Sequence, residues 1–264
     1  MDYSPVRPIF EAMQTQTLGG VSLADLVGGG DPATVAGDMV EVIRTTAGLQ
    51  ATDNILDIGC GCGRFATALT QHLSPSSRYW GIDILPGLID FCRMEIAARF
   101  PNFEFATIDQ GNQFYDQLRG NDPAQYISRL DDICDTRTVD LCVAMSLFTH
   151  LGVDATAAYL ADIRRALKPE GRAALTFFIL DPSTRALMRG GQPAFRFPHV
   201  AADGTFIEHR DSPMHAVAFD AMQLNQLITD AGFYIAKVQH GNWVARRGSA
   251  NFQDVVVLRP RIRA

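Results

Sequence analysis

Ile55-Leu56-Asp57-Ile58-Gly59-Cys60-Gly61-Cys62-Gly63-Arg64-Phe65 decides how this chain folds, and Trp80-Gly81-Ile82-Asp83 completes the signal. Ile55, Leu56 and Ile58 form a short apolar run that predicts a strand buried on both faces. Gly59, Gly61 and Gly63 permit a sharp turn and leave bare backbone free to approach a ligand. A helix from about Arg64 to Leu73 is expected next, with its N-terminus aimed at that ligand. Asp83 lies 24 residues after Gly59, at the end of the next predicted strand.

A strand, glycine turn, helix and following acid suit an adenosine-bearing cofactor, with the carboxylate accepting both ribose hydroxyls. Two cofactor classes use such a turn. Dinucleotide enzymes want G-x-G-x-x-G, and their third glycine lets helix and strand pack closely. Here the spacing is G-x-G-x-G and Arg64 takes that third place, which argues against NAD or FAD. Asp57, two residues before the first glycine, suits a cationic amino group or sulfonium better than a pyrophosphate. At these residues the chain resembles the class I S-adenosylmethionine (SAM)-dependent methyltransferases. Their first motif, hydrophobic-x-D-x-G-x-G-x-G, is matched at every element. The resemblance implies SAM as cofactor.

The flanking sequence predicts βαβ units. Strands are expected at Arg78 to Asp83, Phe103 to Thr107, Val139 to Met145, Arg172 to Leu180, Phe233 to His240 and Asp254 to Arg259. Helices are expected at Pro32 to about Gly48, Pro86 to Arg99, Asp154 to Leu167 and Ala221 to Ala231, the last closed by Gly232. Val21 to Val27 reads as a short helical turn, and Lys168-Pro169-Glu170-Gly171 as a turn before the fifth strand. The expected fold is α/β: a Rossmann-like, doubly wound, mostly parallel seven-stranded sheet with helices on both faces. Residues 1–50 read as an N-terminal helical cap and 51–264 as the methyltransferase domain. Within that domain 181–217 read as a lid insertion, and Gln110 to Arg137 is polar and loop-rich.

Ligands of open α/β sheets sit at the carboxyl ends of the strands. That rule selects Gly59, Cys60, Gly61, Gly63 and Arg64, then Asp83 and Ile84, then Ile108, Asp109 and Gln110, then Met145, Ser146, Leu147 and His150. In the resembled enzymes a side chain at the place of Asp109 meets the adenine amino group; a turn cap is the other reading. Ile84 and Ile108 either sandwich the adenine or pack the core.

Met145-Ser146-Leu147-Phe148-Thr149-His150-Leu151 resembles the S-x-F-T-H-L segment found after the fourth strand in a broad bacterial subset of these enzymes. Arg99 to Phe103, Leu167 to Arg172, and Gln239 to Asp254 extend the match. The last piece, with Gly241, Trp243, Arg246, Gln253 and Asp254, is similar to that subset's G-x-W-x-G-R…Q-D ending. It departs at Ala245, where the subset has Gly, and Cys62 departs inside the glycine motif. The resemblance covers roughly residues 50–258 and leaves the acceptor open.

Methyl transfer to oxygen needs alignment, exclusion of water and removal of one proton. His is the side chain best poised for that near neutral pH. His150 is therefore a candidate general base, or else a helix cap or an indirect hydrogen-bond partner of the cofactor carboxylate. The insertion holds two predicted lid strands, Phe195-Arg196-Phe197 and Thr205-Phe206-Ile207. Arg196, His199 and His215 are candidate acceptor contacts beside Glu208, His209 and Arg210, although Arg196 and Arg210 also suit solvated strand faces. The spacings of His199, His209 and His215 match no helical zinc pattern, so no metal is expected. Trp243 shapes the substrate floor or plugs the sheet edge; both readings stand.

Composition sets the outer limits. The chain has 264 residues, 47% hydrophobic and 20% charged, enough for one large α/β domain. A net charge of −6 gives no general attraction to nucleic acid or anionic membrane. Arg259, Arg261 and Arg263 make a small basic tail. Five cysteines, two of them in the glycine turn, do not read as a disulfide framework. No signal peptide or apolar span is recognised, so a reducing cytoplasm is expected. The expected activity is transfer of the SAM methyl to a small-molecule acceptor, most simply a hydroxyl oxygen of a natural product or sugar. The alternatives are N- or C-methylation of a metabolite, protein methylation, or SAM binding without turnover. The sequence leaves the assembly open; a homodimer built partly from the N-terminal helices is compatible with it.

Overall fold

The apolar runs of this chain are too short for anything but sheet strands, and capped amphipathic helices separate them. The computed structural model describes residues 2–109, 126–127, 129–249 and 251–261. They form two compact units, Met1–Leu141 and Cys142–Ala264.

The first unit begins with α1 (Arg7–Thr15), β1 (Thr17–Leu18), β2 (Val21–Ser22), α2 (Leu23–Leu26) and α3 (Pro32–Ala47). Gly19 and Gly20 both take positive φ, the requirement of a two-residue hairpin turn. The expected helical turn at Val21 to Val27 is thus shortened to α2, capped by the Ser22 hydroxyl, which accepts from the Asp25 N–H. Asp31 caps α3 and Gly48 closes it in the left-handed conformation. Next come β3 (Ile55–Ile58), α4 (Arg64–Leu69), β4 (Tyr79–Asp83), α5 (Pro86–Cys92), β5 (Phe103–Ile108) and the two-residue β6 (Tyr126–Ile127). β3, β4, β5 and β6 pair in that order and are all parallel. The expected single helix Pro86 to Arg99 becomes α5 followed by a wider π turn, Arg93–Ala97. Residues 110–125 and 128 lie outside the described residues, so most of the expected loop and Gln110 are not placed.

β7 (Val139–Ala144) runs through the division between the units. In the first unit the N–H groups of Asp140 and Leu141 donate to the Asn54 carbonyl, at 2.9 and 3.2 Å. The second unit continues with α6 (Val153–Ala166), β8 (Leu167–Phe177), β9 (Ile179–Leu180) and α7 (Pro182–Gly190). It then has β10 (His199–Val200), β11 (Phe206–Ile207), β12 (Val217–Asp220), α8 (Ala221–Asp230), β13 (Phe233–Gln239) and β14 (Asp254–Pro260). β14 inserts antiparallel between β8 and β13. β10, β11, β12 and β9 make a second, four-stranded sheet.

The seven expected strands are thus β3, β4, β5, β7, β8, β13 and β14. They form the mostly parallel, Rossmann-like α/β arrangement, with β6 as a short addition. Two further expectations need correction. Lys168 to Gly171 lies within β8 rather than forming a separate turn, and Pro169 favours an extended Lys168. The hairpin expected as a lid pairs His199–Val200 with Phe206–Ile207, not Phe195 to Phe197. Pro198 has no N–H for a ladder, and Phe195 and Phe197 instead pack beside Phe178 at 5.1 and 5.5 Å. Finally, α7 was not anticipated. Its signal is Asp181-Pro182, the same cap-then-proline pair that opens α3, with the Asp181 carboxylate accepting the Thr184 N–H.

Candidate active site

In the first unit the chain leaves β3 through three glycines, all left-handed: Gly59 (φ 78°), Gly61 (φ 57°) and Gly63 (φ 78°). A Cβ on Gly61 would stand 2.8 Å from Cγ1 of Val27. One on Gly63 would stand 2.5 Å from Cδ1 of Ile96. The turn therefore needs glycine for its conformation and for the closeness of its neighbours. Cys60 and Cys62 are buried, and all five cysteines are free thiols. Burial pushes the Cys62 thiol up to about 12, which keeps it protonated and unreactive.

Two carboxylates face this turn. Asp83 Oδ2 accepts the Gly61 N–H at 2.9 Å, and Oδ1 accepts the Leu85 N–H at 3.0 Å. Burial raises its pKa, and these backbone bonds oppose the shift. Asp57 is 2% exposed and accepts the phenolic hydrogen of Tyr79. Burial, reinforced by the charge of Asp83, pushes its carboxyl up to about 7. Among the described residues no ion pair includes Asp57 or Asp83. A buried acid, Asp57, beside the half-buried Asp83, with no cation paired to either, makes a site that favours positive charge. SAM, with an ammonium and a sulfonium, fits that donor set; a pyrophosphate does not.

The Arg64 side chain turns away from the glycine turn. As the first residue of α4 it presents backbone to the turn, but its guanidinium reaches back to the N-terminal segment. There it donates to the carbonyls of Gly29 (2.9 Å) and Val27. Ile84 is half-buried, Ile108 is 1% exposed, and Asp109 is exposed just past β5.

In the second unit Met145 and Leu147 are half-buried, and Ser146 adopts φ 63°. That is a strained conformation for serine. It is held by the Ser146 N–H donating to Thr176 Oγ1 (2.7 Å) and the hydroxyl donating to Gln253 Oε1 (3.1 Å). His150 is half-buried, and burial lowers its pKa. Its Nδ1 lies 2.9 Å from the Met214 carbonyl. A carbonyl only accepts, so Nδ1 carries the proton and Nε2 keeps its lone pair.

The other expected acceptor contacts are differently employed. Arg196 donates to the carbonyls of Met188 and Gly191, both at 3.3 Å, and so closes the end of α7. His199 Nδ1 accepts from Arg210 Nε at 3.2 Å. His215 Nδ1 lies 3.1 Å from Glu208 Oε2. Trp243 is 1% exposed and wedged against Phe178 and Phe197, so it is a core plug and offers no open face.

Tyr79, Met214 and Asp254 were not foreseen in these roles. Asp254 is 1% exposed. It accepts the N–H groups of Gly241 (2.8 Å), Ile179 (2.9 Å) and the Trp243 indole (3.0 Å). The side chain ties Gly241 and Trp243 of the G-x-W…Q-D ending to β9, and that ending was its only sequence signal.

Fold and site together define a Rossmann-like α/β protein whose nucleotide-type turn is built for a cationic ligand. Residues 56–173 match the model of a methyltransferase-domain family. A malonyl-[acyl-carrier protein] O-methyltransferase from Acetivibrio thermocellus is 32% identical over 123 residues, 44% of this chain and 42% of that protein. The chain thus spans about two fifths of that relative's length. Among solved structures, PH0226 from Pyrococcus horikoshii aligns with a TM-score of 0.58 at 16% identity, over 89% of this chain and 93% of that one. The 1,6-didemethyltoxoflavin-N1-methyltransferase of Burkholderia thailandensis, with S-adenosylhomocysteine bound, aligns at 0.53 and 18% identity, over 87% and 80%. These likenesses support the resemblance to class I SAM-dependent methyltransferases that the glycine motif carries. No helix among the described residues is long and apolar enough to cross a membrane.

Proposed function

We propose that this protein methylates a hydroxyl oxygen of a small-molecule acceptor, with SAM as donor and His150 as general base. When bound, SAM supplies a methyl group already activated on a sulfonium. The chain's own residues must bind, orient and take one proton. Asp57 would meet the cationic end of the cofactor, and Asp83 the ribose hydroxyls through the lone pairs its backbone bonds leave free. Backbone N–H groups of Gly59 to Arg64 line the turn. Residues 1–50 would act as a cap and 181–217 as a lid that keeps water out.

The observation that carries the oxygen reading is the His150–Met214 bond. It fixes the imidazole with Nε2 as the basic nitrogen, and burial keeps the ring neutral at pH 7. A hydroxyl proton would pass to Nε2 as the oxygen attacks the methyl carbon. The curated relative is an O-methyltransferase, in line with this choice of atom. Its name also raises a second reading, a carboxylate oxygen on an acyl group. A carboxylate has no proton to give up, so that reading needs no base.

One experiment separates them. The protein is incubated with methyl-labelled SAM and parallel panels of hydroxylated and carboxylated acceptors, using wild type and His150→Ala. Label on hydroxyl acceptors that falls by about 10²-fold or more in the variant is the expected result. Transfer to carboxylates at an undiminished rate in the variant would replace this reading with the second.

A further inference from the structure

The lid carries a cluster that the methyl-transfer reading does not use. β11 runs antiparallel to β12, with Phe206 opposite Ala218 and Ile207 opposite Val217. The ladder continues one step, as the Glu208 N–H donates to the Ala216 carbonyl at 3.3 Å. This register sets Glu208 beside His215, which ends the short turn Pro213–His215. His209 follows Glu208 directly. Glu208 Oε2 lies 3.1 Å from His215 Nδ1 and 3.5 Å from His209 Nε2. The three ligand atoms all lie within 4.8 Å of one another.

We infer that Glu208, His209 and His215 form a binding site for a borderline divalent transition metal such as zinc or cobalt. Ligands about 2.0–2.1 Å from a tetrahedral zinc stand roughly 3.3 Å apart, the edge of the tetrahedron. The separations from Glu208 to the two imidazoles, 3.1 and 3.5 Å, bracket that edge. Two imidazoles and one carboxylate are the donor set zinc accepts in open sites, with the fourth position left to water or a ligand. Magnesium and calcium, which want oxygen, are poorly served. The side chains of His209 and His215 are 60% and 43% exposed, so an ion has access. Arg210, the nearby cation, is directed to His199 instead. The sequence spacing excluded a helical zinc pattern, but the ligands come from a strand end and a turn that the sheet register brings together.

The site also has a structural consequence. Met214, whose carbonyl orients His150, lies between Pro213 and the ligand His215. An ion bound there would tie that turn to β11.

The test is a titration of the full, chelator-treated chain with cobalt(II), reading the visible absorption of a tetrahedral complex, and it does not depend on the methyl-transfer reading. The expected result is a saturable signal at one cobalt per chain, displaced by zinc. The signal should weaken by at least about tenfold in Glu208→Gln and His209→Asn, the loss even an outer-shell partner produces. It should persist in His199→Ala. His209 is exposed, so its variant tests ligation without disturbing folding, and far-UV circular dichroism verifies that. No saturable signal in the wild type, or a signal unchanged in both ligand variants, overturns the site.

Discussion

Tyr79 donates its phenolic hydrogen to Oδ2 of Asp57, and this neutral partner is what the described residues offer a carboxylate only 2% exposed. With Asp83 nearby, the Asp57 carboxyl is pushed up to about 7. In the unfolded chain it would titrate near 3.8. The folded protein holds this proton to higher pH, so the site costs nothing below about pH 4. The cost then grows as pH rises toward 7 and levels off above it. Asp57→Asn should raise the stability of the cofactor-free protein at pH 8 by roughly 2–4 kcal/mol and leave it unchanged near pH 4. If Asp57 meets the cofactor ammonium as proposed, the same variant should also weaken S-adenosylhomocysteine. Thermal melts at the two pH values and calorimetric titration check both halves. Equal stability at pH 8 would remove the buried-charge account.

Asp83 is the converse case, since its carboxylate already accepts N–H groups from Gly61 and Leu85. Asp83→Ala should weaken S-adenosylhomocysteine by about 1–3 kcal/mol, the worth of hydrogen bonds to a charged group. NADH serves as the control ligand and should bind neither protein. Unaltered affinity in the variant would sink the ribose assignment.

The neutral His150 predicts a one-sided pH profile. Burial lowers its pKa, so the ring is a free base at neutral pH and is lost as a base only on acidification. With a hydroxyl acceptor, kcat should fall on the acid side with a midpoint below 6.5, and His150→Ala should abolish that limb while keeping cofactor affinity within a few-fold. A midpoint unmoved in the variant would place the titrating group elsewhere.

Arg64 joins the start of α4 to the carbonyls of Val27 and Gly29, and Val27 covers Gly61. Arg64→Ala leaves two carbonyls of a three-glycine turn without their donor. It should lower the melting temperature and speed proteolysis within residues 19–31, on the scale of about 1–3 kcal/mol for hydrogen bonds to a charged group. Arg64→Lys should recover little, because one ammonium does not reproduce the guanidinium fork. Full recovery by lysine would argue that charge alone matters.

The parts of this architecture legible in the sequence are those dictated locally. Gly59, Gly61 and Gly63 announce themselves because left-handed backbone favours glycine, and Asp57 and Asp83 because strand ends follow from apolar runs. Partnerships made across the fold left no such mark. Tyr79 reads as an ordinary strand aromatic, although its hydroxyl meets Asp57 from the neighbouring strand. Arg64 reads as a turn residue, although its partners lie more than thirty residues earlier. Of the two expected hairpin strands, only the first was misplaced, because Phe195 and Phe197 carry the aromatic signature of strands yet serve the cluster around Phe178 and Trp243. Glu208 and His215 meet only through the register of β11 on β12.

Ala245 shows how a departure from a family pattern acquires a physical meaning. The resembled subset has glycine here, and Ala245 adopts φ 57°. A left-handed alanine costs about 1–2 kcal/mol, whereas glycine enters that region freely. Glycine also loses more freedom on folding, which offsets part of the gain. Ala245→Gly should therefore stabilise the protein by up to about 1 kcal/mol, seen as a higher midpoint in denaturant with an unchanged m-value. Residue 245 follows the core plug Trp243, and its N–H donates to the Asn242 carbonyl at 2.7 Å, so the substitution leaves that turn intact. A lower midpoint would mean that the alanine methyl makes contacts worth more than the strain of its backbone.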